Sequence, residues 1–352
     1  MAAPQPIADN YTQPTLPNTP YGWKINSIDY QIITKSDGWA QSQAQRLAEY
    51  EAGKSLCGIN YAALAVPYDN LTKYTNYVAD ARTKGLKIWH RSHWNRWQGD
   101  NSTSADLSAQ DYLDDTYDFI VDNPTLFEDY DCFTTCVEAN NADGVNSTDP
   151  FRTTGVFDFT KYNQFLKDQV RYANAAFLVI GKKVQTNLLS LSLSLTDLSG
   201  QTLDSGSGGN SSGLDNNDVV TYLNGILTID HYLSSSYRYS DGDYWTKFSS
   251  DLDKIHAAFP DCKIMIGEWG YHTSTSVSES ERAGMYDRVI QVLRSKKYIY
   301  GVNFWNHMGQ TSSSIFTDSS GNIVTSGRTT ADRIKHAFTT GNQAYGMRIR
   351  VS

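Results

Sequence analysis

The chain has 352 residues, a formal net charge of −8 and no cluster of lysine or arginine, so its composition does not favour binding to nucleic acid. No apolar stretch is long enough to cross a bilayer. The length exceeds the usual size of one domain but fits a (β/α)8 barrel with long loops, a fold of roughly 250 residues or more.

The first 20 residues carry five of the nine prolines and show no periodic apolar pattern. We expect residues 1–20 to form an extended arm that lies on the domain or stays loose, and residues 21–352 to form one catalytic domain. The start lacks the charged and apolar regions of a signal peptide. If a signal existed, it has been removed, and we expect an extracellular protein.

After the arm, short apolar runs typical of buried strands alternate with segments of helical periodicity. The predicted strands cover residues 23–30, 57–66, 86–89, 132–138, part of 183–195, 226–232, 263–268 and 299–305. The predicted helices cover residues 42–52, 71–84, 108–121, a segment from 158, 218–224, 244–259, 278–296 and 330–338. A glycine- and serine-rich loop is predicted over 196–217 and a small hairpin over 315–324. Eight strands alternating with helices predict a parallel sheet that closes into an α/β TIM barrel.

Two glutamates end strand-like runs in matching contexts. Glu138 precedes a polar loop, and Glu268 precedes a glycine turn. Barrel enzymes place their catalytic groups at the carboxyl ends of strands. Hydrolysis of a glycoside with retained configuration needs one carboxylate that attacks the anomeric carbon and one carboxylic acid that protonates the leaving oxygen, about 5 to 5.5 Å apart. The pair therefore predicts a retaining glycosidase.

Aromatic and polar side chains near the predicted strand ends are candidates for contact with a sugar. An aromatic ring can stack on the apolar face of a sugar ring, and a polar side chain can bond its hydroxyls. The residues that we assign to substrate binding are His90, His93, Trp94, Asn140, His231, Tyr232, Trp269 and Trp305. Further candidates for hydrogen bonds to sugar hydroxyls are Asp29, Asp230 and His272.

These motifs resemble the clan of retaining (β/α)8 glycoside hydrolases that includes the cellulase-like family 5. The Gly-Glu-Trp-Gly run at 267–270 is similar to the strand-seven nucleophile motif of that family, and Glu138 stands where its strand-four acid/base would be. The resemblance implies that Glu268 is the nucleophile and that Glu138 acts as acid and then as base.

The same resemblance implies roles for several binding residues. His231 and Tyr232 are similar to the His and Tyr that flank the nucleophile, and Trp305 is similar to the platform under the sugar beside the scissile bond. His90 or His93 would be the strand-three histidine of the family. The resemblance extends over most of the barrel, from about residue 23 to residue 338.

Two positions depart from the family pattern. The family has an Asn directly before the acid/base, whereas this chain has Val137, with Asn140 or Asn141 as candidates to replace it. The arginine expected on strand two is missing, and Asn60 and Tyr61 stand in that region. These departures imply a divergent member of the clan, and they leave open a sugar with a modified or unused 2-position.

The sequence favours a monomeric glycosidase that acts within a β-linked polysaccharide, glucan- or mannan-like, by double displacement and without a cofactor; the loops could instead close a pocket. Two alternatives stay open: a barrel that binds carbohydrate without cutting it, which Val137 favours, and a metal-dependent hydrolase using His90, His93 and His231. The four cysteines lack the paired spacing of a zinc site, so we expect buried free thiols.

Overall fold

A computed structural model describes residues 10–19, 22–30, 42–66, 70–92, 108–135, 137, 152–153, 156–157, 159–192, 225–233, 240–271, 278–305, 315, 323 and 329–339. Within these ranges, strands alternate with helices along the chain. The strands are β1 Ile25–Asp29, β2 Tyr61–Val66, β3 Lys87–Ser92, β4 Cys132–Thr134, β5 Arg152–Thr153, β6 Val156–Phe157, β7 Leu188–Ser192, β8 Ile226–Leu233, β9 Lys263–Tyr271 and β10 Ile299–Phe304. The helices are α1 Gln43–Ala52, α2 Leu71–Thr83, α3 Ala109–Asp122, α4 Phe159–Ile180, α5 Gly242–Ala258, α6 Glu279–Arg294 and α7 Thr329–Thr339.

Eight of the strands form one parallel sheet in the order β4-β3-β2-β1-β10-β9-β8-β7. Its two edges meet where Cys132 of β4 forms a parallel bridge with Gln185. The Phe133 amide donates to the Gln185 carbonyl, and the Gln185 amide donates to the Asp131 carbonyl, both at 2.8 Å. The predicted closed (β/α)8 barrel is confirmed.

Local side-chain hydrogen bonds set the starts of several helices. Ser42 and Ser108 each begin a helix with a capping box, in which Gln45 and Asp111 return the hydrogen bond. Ser278 accepts from the amide three residues ahead in the same manner. α2 is followed by Gly85 at a φ of 70°, a conformation that glycine adopts without a steric cost. The predicted boundaries of these helices hold to within about two residues.

Alternation along the strands divides the core into two layers. Side chains that point into the barrel form a cluster at the amino-terminal ends of the strands, with Trp89 and Met265 at its centre. Side chains that point outward join the helices in a larger cluster. A residue's position in this alternation therefore decides whether it faces the barrel interior or the surrounding helices.

The part of the N-terminal arm that the structure describes, residues 10–19, lies against the amino-terminal end of the barrel. Leu16 is 1% exposed and packs with the inner cluster. Tyr11 accepts a hydrogen bond from the Val184 amide at 2.7 Å, and Gln13 bonds Thr186 through both its amide nitrogen and its oxygen. Of the two arrangements that the sequence left open, this portion takes the docked one.

Other predictions fall partly outside the described residues. The loop over 196–217 and the helix over 218–224 lie outside them, and of the hairpin over 315–324 only Ile315 and Ile323 are described. A short antiparallel pair, β5 with β6, stands in the polar loop that we predicted after Glu138, over residues 139–157. Cys57, Cys132 and Cys262 are buried free thiols, as expected. None of the described helices is both long and apolar enough to cross a membrane.

Candidate functional site

A β-bulge in β9 directs Glu268 into the barrel. The register passes from Ile266 opposite Ile229 to Glu268 opposite Asp230, so Gly267 is an extra residue relative to β8. The register with β10 shifts over the same segment. Strict alternation from the inward-facing Met265 would point residue 268 outward, and the bulge reverses this. Glu268 therefore faces the barrel interior at the carboxyl end of β9.

Gly267 has no room for a side chain. A Cβ at this position would lie 2.2 Å from Asp230 Oδ1 and 2.4 Å from Thr228 Cγ2. Real Cβ atoms do not approach other atoms this closely, so any other residue would displace β8 or the Asp230 carboxylate. The glycine thus allows the bulge and the close approach of Asp230 at the same point.

Arg91 of β3 binds three carboxylates from three other strands. Its Nη1 donates to Glu268 Oε1 and, at 3.2 Å, to Asp29 Oδ2. Its Nη2 donates to Asp230 Oδ2 at 3.1 Å. The guanidinium also lies 5.1 Å from the centre of the Trp89 ring, at a distance suited to a cation–π contact. The arginine therefore joins β1, β8 and β9 across the inside of the barrel.

Arg91 and its three carboxylate partners are buried, so water screens the interactions between their charges only weakly. Arg91 is 0% exposed, Asp29 2%, Asp230 4% and Glu268 8%. With every group ionised, three carboxylates and one guanidinium give a formal charge of −3 + 1 = −2. Among the described residues, Arg91 is the cation that pairs with all three carboxylates, and little water reaches the group.

Asn303 of β10 extends the same network. Its Nδ2 donates to Asp29 Oδ2 at 2.9 Å and to the Gly267 carbonyl at 2.8 Å. Arg91 Nη1 approaches the same carbonyl at 3.5 Å. The side chains of Arg91 and Asn303 thus both meet the bulge that precedes Glu268.

Trp305 lies beside this group at the end of β10. Its amide donates to the Trp269 carbonyl at 2.8 Å, and a Cβ on Gly270 would lie 2.9 Å from the Trp305 Cβ. The side chain is partly exposed, two positions beyond the inward-facing Asn303. Trp305 is therefore at the carboxyl end of the barrel, where we predicted a platform for a sugar.

Trp269 does not line the site, and its predicted contact with substrate is wrong in this structure. It is 0% exposed and packs edge-on against Tyr286 of α6, with ring centroids 4.9 Å apart, and near Phe304. The bulge that turns Glu268 inward turns the next residue outward. Trp269 is therefore part of the packing between sheet and helices.

His90 also faces outward, which corrects its predicted role in substrate binding. Its Nδ1 lies 2.6 Å from the Tyr74 hydroxyl, and its ring packs on Phe127 and Phe133. Burial lowers the pKa of His90, although the neighbouring Asp131 opposes this, so the ring is neutral near pH 7. A metal site that needs His90 at the mouth of the barrel is excluded with it.

Asp131 forms several hydrogen bonds near His90, on the side of the sheet that faces the helices; we call Asp131, Arg82 and His90 the outer network. It accepts hydrogen bonds from two nitrogens of Arg82, at 2.7 and 3.3 Å, and from the backbone amides of Ile88 and Glu128. Burial alone would raise the pKa of Asp131, but His90 and Arg82 outweigh it and lower the pKa to about 2. This group ties α2 to β3 and β4 on the side of the sheet away from the barrel interior.

Several predicted site residues lie outside the described part of the chain: Glu138, His93, Trp94, Asn140 and His272. For His231 and Tyr232 only the backbone is described, in register with Trp269 and Gly270 at the end of β8. Val137, which precedes Glu138, is buried, and its amide lies 3.4 Å from the Ser92 carbonyl of β3. Within the described ranges, no group of three His, Cys, Asp or Glu side chains could hold a metal ion.

Arg91 and Asn303 are site residues that sequence reasoning missed. We looked for the arginine on strand two, whereas the structure places one beside Glu268 from β3. The signal was an arginine inside the buried run 87–92, two residues after Trp89 and therefore on the same face. Asp29 is the last residue of β1, whereas Asp230 lies three residues before the end of β8, and both bind Arg91.

The chain matches no protein-family model and no curated protein. Its fold is similar to that of several solved structures. ZgEngAGH5_4 matches at a TM-score of 0.60 and 15% identity over 88% of this chain and 95% of that chain, and it is also known in complex with a cellotriose.

Two further structures have the same fold. Xylanase 10B from Thermotoga maritima matches at a TM-score of 0.55 and 12% identity, over 89% of this chain and 94% of that one. A GH113 β-1,4-mannanase matches at a TM-score of 0.50 and 12% identity, over 89% of this chain and 98% of that chain. At these identities, the similarity shows that this chain shares the (β/α)8 barrel of these proteins.

Proposed function

We propose that this protein is a retaining glycoside hydrolase. The observation that carries the proposal is the position of Glu268, a carboxylate that faces inward at the carboxyl end of a barrel strand and pairs with Arg91. An ionised carboxylate held in one orientation is what attack on an anomeric carbon requires. The solved structures that share the fold include endoglucanases, a xylanase and a β-1,4-mannanase, which supports the same class of reaction.

In the proposed mechanism, Glu268 attacks the anomeric carbon while Glu138 protonates the leaving oxygen. The resulting glycosyl-enzyme is then hydrolysed by water, which Glu138 deprotonates. Arg91 orients the Glu268 carboxylate for the first step, and hydrolysis of the glycosyl-enzyme ester releases that carboxylate again. Glu138 follows β4 by four residues in the sequence, and β4 lies three positions from β9 around the closed barrel.

The proposed substrate is a β-linked polysaccharide, cut within the chain. The cellotriose bound to ZgEngAGH5_4 is a precedent for an oligosaccharide on this fold. We infer that Trp305, which is partly exposed at the end of β10, stacks on the sugar next to the scissile bond. We also propose that the protein acts as an extracellular monomer, without a cofactor.

The test is chemical rescue of alanine variants, after a panel of β-glucan, β-mannan and xylan has identified a substrate. Glu268→Ala should lower kcat by at least about a thousandfold, and azide should restore turnover to give a glycosyl azide of inverted configuration. Glu138→Ala should lower kcat by about 100- to 10,000-fold on natural glycans, and azide should give a product of retained configuration. Full activity of Glu268→Ala, or an inverted first product from the wild-type enzyme, would refute the mechanism.

A further inference from the structure

Two buried side chains, Asp29 and Asn303, hold the bulge on which the orientation of Glu268 depends. Asn303 uses both hydrogens of its amide nitrogen: one goes to Asp29 and the other to the Gly267 carbonyl. The opposite amide orientation would place Asn303 Oδ1 against a carboxylate oxygen and a carbonyl oxygen. This pattern of acceptors therefore fixes the orientation of the Asn303 amide.

Asp29 connects that amide to the guanidinium. Its Oδ2 accepts from Asn303 Nδ2 at 2.9 Å and from Arg91 Nη1 at 3.2 Å. The same Nη1 donates to Glu268. Asp29 thus fixes the two groups that touch the Gly267 carbonyl, and one of them also binds the carboxylate.

We propose that Asp29 and Asn303 are positioning residues of the hydrolytic reaction, which clamp the Gly267 bulge and so set the direction from which Glu268 attacks. The inference rests on the proposed function of Glu268. Asp29 is 2% exposed and Asn303 0%, so both act on the reaction through the bulge and Arg91. A displacement of about 1 Å at a reacting group can cost roughly a hundredfold in rate, which makes such a clamp valuable.

Asp29 contributes a charge to the site, whereas Asn303 is neutral. The charged groups described around the Glu268 carboxylate are Arg91 from β3, Asp29 from β1 and Asp230 from β8. Changing Asp29 to asparagine removes one negative neighbour, whereas changing Asn303 to alanine changes no charge. The two variants should therefore differ in the pH dependence of the reaction.

The experiment measures kcat, KM and the pH profile of kcat/KM, using the 2,4-dinitrophenyl β-glycoside of the sugar that the polysaccharide panel identifies. We expect Asn303→Ala to lower kcat about 10- to 100-fold, with KM within about threefold and the acidic limb unchanged. Asp29→Asn should lower kcat similarly and move the acidic limb to lower pH. The double variant should lose less than the product of the two losses, because both changes release the same bulge.

Asp251→Asn is the matched control. Asp251 is also fully buried and pairs with two cations, Lys247 and Lys254, but it lies on α5 away from the barrel interior. It should lower the melting temperature and leave kcat and the pH profile unchanged.

If both site variants fold and keep the kcat of the wild type while Glu268→Gln is inactive, the clamp is refuted and the proposed function stands. If Asp29→Asn does not fold, the kcat of Asn303→Ala alone tests the clamp, because this variant keeps the charges of Arg91 and its three carboxylate partners. Activity in Glu268→Gln overturns the proposed function first, and the inference fails with it.

Discussion

Replacing Arg91 with methionine should leave three carboxylates in a buried part of the barrel without their shared counter-charge. The arginine nitrogens lie 3.2 Å from Asp29 and 3.1 Å from Asp230, and a third contact reaches Glu268. Unit charges 3.2 Å apart attract by roughly 5 kcal/mol at an effective dielectric of about 20. Part of this attraction offsets the cost of burying the charges, so the net loss is smaller. We expect Arg91→Met to lower the free energy of unfolding by about 3–5 kcal/mol at pH 7.

The loss should depend on pH in a definite direction. In the variant, folding disfavours the charged carboxylates, so their pKa values rise above those of the unfolded chain. The penalty is then absent below the ordinary carboxyl pKa of about 4 and grows as the pH rises above it. Urea unfolding followed by tryptophan fluorescence, at pH 3.5 to 8, measures the difference between Arg91→Met and the wild type.

Arg91→Lys is the companion variant, because it keeps the charge but cannot bond three carboxylates through one planar group. It should cost about 1–2 kcal/mol, with a weaker dependence on pH. A loss below about 1 kcal/mol for Arg91→Met, or a loss that is the same at pH 4 and pH 8, would show that the charge network contributes little to the fold.

Two further predictions concern the bulge and the outer network. Gly267→Ala should lower kcat by about a hundredfold, because its Cβ would lie 2.2 Å from Asp230 Oδ1. Gly242→Ala is the control, because its Cβ would have no atom within 4 Å, and it should keep the kcat of the wild type. Equal rates for the two variants would contradict this reasoning. Asp131 has a folded pKa of about 2 against an ordinary value of 3.8, so its contribution of roughly 2 kcal/mol is present above pH 4 and is lost as the pH falls toward 2. Unfolding free energies of Asp131→Asn at pH 2 to 5 should therefore show a flatter dependence than the wild type, and a parallel curve would rule out this role.

The barrel was predictable because its signals are local. Apolar runs, serine caps and glycine stops each act within a few residues, and together they located the eight strands and most of the helices. Asp29 and Arg91 stand on regular strands, so alternation accounts for their inward positions, although the sequence analysis did not select Arg91. The position of Glu268 at a strand end was predictable for the same reason.

The details of the site depend on contacts between distant segments. Gly267 inside an apolar run permits a bulge, but the pairing of β9 with both neighbours sets the register shift itself. Without the bulge, Trp269 would face the sugar and Glu268 the helices, so sequence alternation alone could not assign both correctly. The arginine partner was missed because we searched for it on strand two, where the resembling family carries it, whereas Arg91 stands on β3.

The docked arm has a consequence for how the chain acquires its structure. Tyr11 bonds Val184, which is 173 residues further along the chain. Leu16 fits an inner cluster that includes Met265 of β9. On a ribosome, the arm leaves the exit tunnel before the barrel does, yet its binding surface is complete only after most of the barrel has been synthesised. The arm therefore reaches its final place late, and until then the amino-terminal end of the barrel is open to water.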